Sequence, residues 1–89
     1  MNIENRATKL YLKSLPPLTV YKFLDKYKIP TPYKEVLICC CILKMTDFKA
    51  IHYLEKEYHL YLGQRTYIRR LKEALEMFRK SHSTFYKGK

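Results

Sequence analysis

Apolar residues recur along most of this 89-residue chain at the three- and four-residue intervals that are typical of amphipathic helices. Prolines interrupt the pattern at residues 16–17 and again at residues 30–32, and a further break lies between Tyr58 and Gly63. These breaks divide the chain into about five helical segments, and no segment shows the alternating pattern of a half-buried strand. The sequence therefore predicts an all-α fold, a small bundle of about five helices.

The first two segments are amphipathic and basic. Ile3, Ala7 and Leu10 share one predicted apolar face of the first helix, and Thr19 can cap a second helix that buries Val20 and its neighbours. We predict that residues 1–31 form a basic helical segment packed on a core made by residues 32–81. The last residues, 82–89, are polar and are predicted to form a flexible tail.

The stretch from Val36 to Leu43 is apolar on every side of a helix, which predicts a central helix surrounded by neighbours. It contains three adjacent cysteines, Cys39 to Cys41. Adjacent cysteines cannot bridge distant segments and lack the usual spacing of metal ligands, so we interpret them as buried packing residues. No metal and no other cofactor is predicted.

Two further helices follow. Thr46 and Asp47 provide an N-cap for a helix in which Phe48, Ile51 and Tyr58 lie at the spacing of a packed face. The last helix is predicted to begin at Gly63 or Gln64 and to end near residue 81. Its apolar face holds six residues: Tyr67, Ile68, Leu71, Ala74, Leu75 and Phe78.

The net charge of the chain and its distribution indicate the class of binding partner. Eighteen Lys and Arg against eight Asp and Glu give a net charge of +10, and residues 63–89 carry eight basic and two acidic side chains. Such a field attracts polyanions, and nucleic acid is the first of these. The two acids of the last helix, Glu73 and Glu76, come late and are spaced to pair with Arg69, Lys72 and Lys80.

The first half of the last helix is therefore free of acids, as a recognition helix in the major groove requires. Amide and guanidinium groups read base edges there, while hydroxyl groups contact phosphates. Tyr61, in the preceding turn, is a candidate contact to the DNA backbone. The predicted DNA-binding set is Tyr61, Gln64, Arg65, Thr66, Arg69, Arg70 and Lys72.

Three stretches together, at residues 33–37, 47–51 and 65–79, resemble the helix-turn-helix of the fourth region of bacterial sigma factors and of small phage regulators that carry this module. The resemblance covers about residues 33–80. It implies that Leu62 is the hydrophobic residue after the turn and that Gly63 is the capping position. It also implies that Arg65, Thr66, Arg69 and Arg70 face DNA.

An enzyme is not predicted. His52, His59 and His82 lack the spacing of a zinc site, and the chain has no glycine-rich phosphate loop. We interpret the histidines as surface residues. The chain begins without the pattern of a signal peptide, and its longest apolar run is too short to span a membrane, so a cytoplasmic location without membrane contact is predicted.

Two functions remain open. The first is a sequence-specific double-stranded DNA-binding protein that regulates transcription, with an origin in a phage or mobile element suggested by its size and Lys/Tyr/Ile-rich composition. The second is a small basic interaction protein that binds an acidic partner such as host RNA polymerase or a replication protein. The sequence leaves the oligomeric state open, a homodimer included.

Overall fold

The computed structural model describes residues 2–87, with side chains described as far as Ser83. Residues 2–87 form helices and connecting loops without any strand, so the prediction of an all-α fold with about five helices is confirmed. No helix in this range is both long enough and apolar enough to cross a bilayer. The helices are α1 (Ile3–Ser14), α2 (Pro17–Lys26), α3 (Tyr33–Leu37), α4 (Asp47–Tyr58) and α5 (Gln64–Lys87), and Ile38–Ile42 continue α3 as a π-helical turn.

α3 and the π-helical turn lie at the centre of the molecule, as the apolar run predicts. Val36 and Leu37 are fully buried, and Ile38 is 7% exposed. The turn is wide because the N–H of Leu43 donates to the carbonyl of Ile38, five residues earlier, at 2.9 Å. The neighbouring helices α1, α4 and α5 pack around this segment. Leu43, the last residue of the predicted central helix, is 42% exposed at the end of the π-helical turn, so the predicted burial is wrong at that residue.

The three cysteines are free thiols inside this core. Cys39 is fully buried, and that burial raises the pKa of its thiol to about 11. Such a thiol is protonated at neutral pH and behaves as a small apolar side chain.

We expect Cys39→Ala to lower the free energy of unfolding by about 1–2 kcal/mol, because the lost sulfur leaves a small cavity. Cys39→Ser is expected to cost more than Cys39→Ala, because the new hydroxyl needs a hydrogen-bond partner among apolar neighbours. Urea unfolding of the three proteins measures both differences. Equal stability of all three would contradict a packing role.

α1 packs in the opposite orientation to the one predicted. Leu12 and Asn5 are fully buried, whereas Ile3 is 83% and Leu10 is 62% exposed. The prediction that Ile3, Ala7 and Leu10 form the packed face is therefore wrong. The physical reason is that Asn5 finds polar partners on α5, so an inward-facing polar side chain is satisfied rather than penalised.

Of the two predicted N-caps, one is confirmed and one is wrong. The Oγ1 of Thr46 accepts a hydrogen bond from the N–H of Lys49 at 3.5 Å, so Thr46 caps α4 as predicted. α2 begins at Pro17 rather than after Thr19, because proline suits the first helical position, where its missing N–H costs nothing.

α5 is longer than predicted. The helix runs past the predicted end at residue 81 to Lys87, and residues 88–89 of the predicted tail lie outside the described residues. His82 explains the extension, because it continues the inward face one turn beyond Phe78 and stacks on that ring at a centroid distance of 5.1 Å. The Oη of Tyr27 and the Nδ1 of His82 form a hydrogen bond of 2.7 Å. His82 is thus a half-buried packing residue and not the surface histidine predicted.

Burial lowers the pKa of His82 below its ordinary 6.5, and the nearby charge of Lys26 lowers it further. The unfolded chain therefore binds a proton at His82 at a higher pH than the folded chain does. The resulting stabilisation is complete above pH 6.5 and is lost as the pH falls toward the folded-state pKa. We expect the free energy of unfolding to fall between pH 7 and pH 5, and to fall less in His82→Phe, which keeps the ring stacking.

Urea unfolding at the two pH values measures this difference. His52→Gln, at an exposed histidine, is the matched control and is expected to behave as the parent protein. If His82→Phe shows the same pH dependence as the parent protein, His82 is not the responsible group.

Candidate nucleic-acid interface

A five-residue connection, His59–Gly63, joins α4 to α5. His59 has φ 56°, in the left-handed region, and the N–H of Leu60 donates to the carbonyl of Leu54 at 3.1 Å, which ends α4. The carbonyl of Gly63 accepts from the N–H of Tyr67 at 2.8 Å and so begins α5. Both ends of the connection are therefore fixed by backbone hydrogen bonds.

Within the connection, apolar and exposed residues alternate. Leu60 and Leu62 are half-buried and pack against the core, while Tyr61 between them is 72% exposed. Tyr61 thus stands in solvent immediately before the first turn of α5, where it was predicted to contact a partner.

The inward face of α5 fixes how the helix is rotated. Tyr67, Leu71, Ala74, Leu75 and Phe78 are buried, as predicted, and only Ile68 of the predicted face is substantially exposed, at 44%. Tyr67 is fully buried near the start of the helix, and burial raises the pKa of its phenol. With this anchor in the core, the positions that point outward in the first half of α5 are set.

Three cations share the outward side of this half. Arg65, Arg69 and Lys72 are all exposed, and together we call them the outer cationic face. Gln64 is exposed beside them at the first helical position. In the part of the chain whose side chains are described, no carboxylate forms an ion pair with any of these three cations. Their charge is therefore directed at solvent.

The remaining two members of the predicted set lie at another edge of the helix. Arg70 is half-buried and its Nη1 donates to Glu73 Oε1 at 2.7 Å, while Thr66 is half-buried one turn earlier. Glu73 thus pairs with Arg70 and not with Arg69 or Lys72, as the spacing alone predicted. The reason is that Arg70 and Glu73 lie on the same border of the buried face, one turn apart.

Glu76, the second acid of α5, is also occupied. Its Oε2 accepts a hydrogen bond from the Nδ2 of Asn5 at 3.2 Å, and Arg79 donates to the Oδ1 of the same asparagine. Arg79 also lies 3.7 Å from Glu4. This polar cluster joins α1 to the second half of α5. It corrects the predicted pairing of Glu76 with Lys80 and holds the acid away from the outer cationic face.

The outward side of α4 exposes a large apolar side chain that the sequence pattern predicted to be packed. Phe48 was predicted on the packed face but is 73% exposed. With Met45, Lys49, His52 and Tyr53 it borders an open groove of about 490 Å³. Phe48 fits the helical spacing of Ile51, but it lies in the first turn of α4, at the edge of the core, where the neighbouring elements do not reach.

Within residues 2–83, no three His, Cys, Asp or Glu side chains come close enough together to hold a metal ion. The three cations of the outer cationic face suit an anionic partner.

Comparison of the chain with protein-family models, with curated proteins and with solved structures finds no match. The resemblance to the fourth region of sigma factors therefore rests on the residues of this chain alone.

Proposed function

We propose that this protein binds double-stranded DNA in a sequence-specific manner and regulates transcription. In this proposal, α4, the His59–Gly63 connection and α5 act as a helix-turn-helix, with α5 as the recognition helix. The observation that carries it is the outer cationic face. Three exposed cations lie together on residues 64–72, the acid-free beginning of a helix whose rotation is fixed by its buried side.

The chemistry of this surface matches the major groove. A helix fits the groove, and its first turns reach the base edges. Arg65 and Arg69 can each donate two hydrogen bonds to the O6 and N7 atoms of a guanine, and Gln64 can bind an adenine in the same way. Lys72, one turn further along the helix, is placed to contact a phosphate.

The residues at the edges of α5 would position the helix rather than read bases. Thr66 offers a hydroxyl to a phosphate, and Tyr61 offers a phenol at the start of the helix. Arg70 is engaged by Glu73, so its contribution to DNA binding is expected to be smaller than that of Arg69.

The connection between α4 and α5 is compatible with this geometry. It is longer than the three or four residues of a typical helix-turn-helix by about one or two residues. His59 in the left-handed conformation reverses the chain directly after α4, a role for which glycine is the usual residue. The half-buried Leu60 and Leu62 then hold the connection against the core.

A solvated basic helix without a binding function is the competing interpretation, and salt dependence together with sequence preference separates the two. Fluorescence anisotropy with labelled duplexes should show affinity that falls with salt by a log–log slope of about −0.9 for each phosphate contacted. A DNA-binding protein of this kind keeps a preference among duplex sequences at the higher salt. Equal affinity for all duplexes and for heparin at every salt concentration would contradict the proposal.

A further inference from the structure

α1 presents an apolar stripe to solvent on the side that faces away from the core. Ile3, Ala7 and Leu10 recur at intervals of four and three residues, and Ile3 and Leu10 are 83% and 62% exposed. The fully buried Asn5 and Leu12 lie on the opposite side of the same helix. Single exposed apolar residues are common on protein surfaces, but this stripe places two large ones in line on one helix.

The width of the stripe indicates what covers it. At 100° per residue, its three members lie within about 60° of one another around the helix. Tyr11, which is 42% exposed, lies beside Ala7 and widens the apolar arc to about 100°. An arc of this width can be covered by one partner helix.

Charge beside the stripe indicates the chemistry of that partner helix. Arg6 and Lys13 lie along one side of the stripe. Glu4, on the other side, is near the guanidinium of Arg79 on α5, at 3.7 Å. The border is therefore cationic and is complementary to carboxylates on a partner.

A second copy of the chain is a poor occupant by the same argument. Two α1 helices packed antiparallel around a two-fold axis would set Arg6 and Lys13 of one copy beside those of the other. A parallel pair would set them beside Glu4, which already lies close to Arg79. Each copy also carries a net charge of +10.

We infer that the stripe formed by Ile3, Ala7 and Leu10 is a docking surface for an acidic amphipathic helix of a partner protein. This surface is separate from the outer cationic face. α1 contacts α5 at Glu76 and Arg79, and Glu76 lies about 10 Å along the helix axis from Arg69. Because the two surfaces lie on different helices, occupation of both would link a DNA site to a second protein.

The test uses the full chain and a synthetic peptide of three heptads, with leucine at positions a and d and glutamate at e and g. The glutamates keep the peptide from pairing with itself. Fluorescence anisotropy of the labelled peptide measures its binding. A peptide with lysine at e and g is the charge control and is expected not to bind.

Leu10→Gln is expected to weaken binding of the acidic peptide about tenfold or more. Leu18→Gln is the matched control, because Leu18 is also a leucine, is 65% exposed and lies on α2 outside the stripe. It is expected to bind the peptide as the parent protein does. Both substitutions are on the surface, and circular dichroism checks that both variants are folded.

Three results would overturn the inference. Equal binding by Leu10→Gln and Leu18→Gln would show that charge alone attracts the peptide. Sedimentation of the parent as a dimer that Leu10→Gln dissociates would identify a second copy as the occupant. Leu10-dependent binding to phosphatidylserine vesicles, without peptide binding, would identify a membrane surface. No DNA is present in this assay, so its outcome is independent of the proposed DNA binding.

Discussion

Ile38→Asp is expected to leave the chain unfolded at 25 °C, whereas Ile3→Asp is expected to leave it folded. Ile38 is 7% exposed at the centre of the helical bundle, and Ile3 is 83% exposed on α1. A carboxyl group at position 38 loses its hydration and, whether charged or protonated, has no hydrogen-bond partner among the apolar neighbours. This lowers the free energy of unfolding by several kcal/mol. A domain of 89 residues has a total stability of about 4–13 kcal/mol, so this loss removes most or all of it.

Circular dichroism at 222 nm with a urea titration measures both variants. The two substitutions are chemically identical and differ only in where the side chain lies. If Ile38→Asp unfolds cooperatively within about 1 kcal/mol of the parent, the central segment is not the core.

Arg69→Ala is expected to weaken specific DNA binding by about 1–3 kcal/mol, which is about 5- to 150-fold, and to relax the preference at one base pair. Arg69 is exposed and directed at solvent, and its guanidinium can reach two acceptors on one guanine. Arg65→Ala is expected to have a similar effect at a neighbouring base pair. The binding energies come from anisotropy titrations against a set of single-base variants of the preferred duplex.

Arg70→Ala is the matched control for Arg69→Ala, because the two arginines are adjacent on the same helix. Arg70 is bonded to Glu73, so its replacement is expected to weaken all duplexes slightly and equally. Lys80→Ala, on the second half of the helix, should lower the salt slope by about one if that lysine contacts a phosphate. If Arg65→Ala, Arg69→Ala and Arg70→Ala all bind every duplex as the parent does, α5 is not the recognition helix.

The buried side of α5 and the central segment could be predicted from the sequence. Tyr67, Leu71 and Phe78 are large apolar residues in one register, and the run from Val36 to Leu43 has no polar residue that would leave a side facing water. In both segments the apolar positions allow only one arrangement around a helix. The helical period was therefore enough to predict which side chains are buried.

The orientation of α1 could not be predicted in this way. Its apolar stripe at Ile3, Ala7 and Leu10 is the more hydrophobic side, yet the helix buries Asn5 and Leu12. The partners of Asn5, Glu76 and Arg79, lie 71 and 74 residues away in the chain. A polar side chain that is satisfied by such distant residues has no signal in the pattern of its own segment.

The end of α5 and the pairing of its acids could not be predicted from the local pattern either. Ser81, His82 and Ser83 are polar but do not break a helix, and the contact that retains His82 comes from Tyr27, 55 residues away. At the candidate site, the sequence placed seven residues near one another. It could not show that Arg70 is bonded to Glu73 while Arg69 is not, because two acceptable pairings share similar spacing.

Selection of bound duplexes from a pool with random sequence tests the central proposal most directly. The full chain is incubated with the pool at moderate salt, and the bound duplexes are recovered and sequenced over several rounds. The proposal predicts enrichment of a short consensus that includes guanines, with the information at one position lost when Arg69→Ala is used instead. Recovery of duplexes that match the starting pool in sequence, at every salt concentration that permits binding, would contradict it.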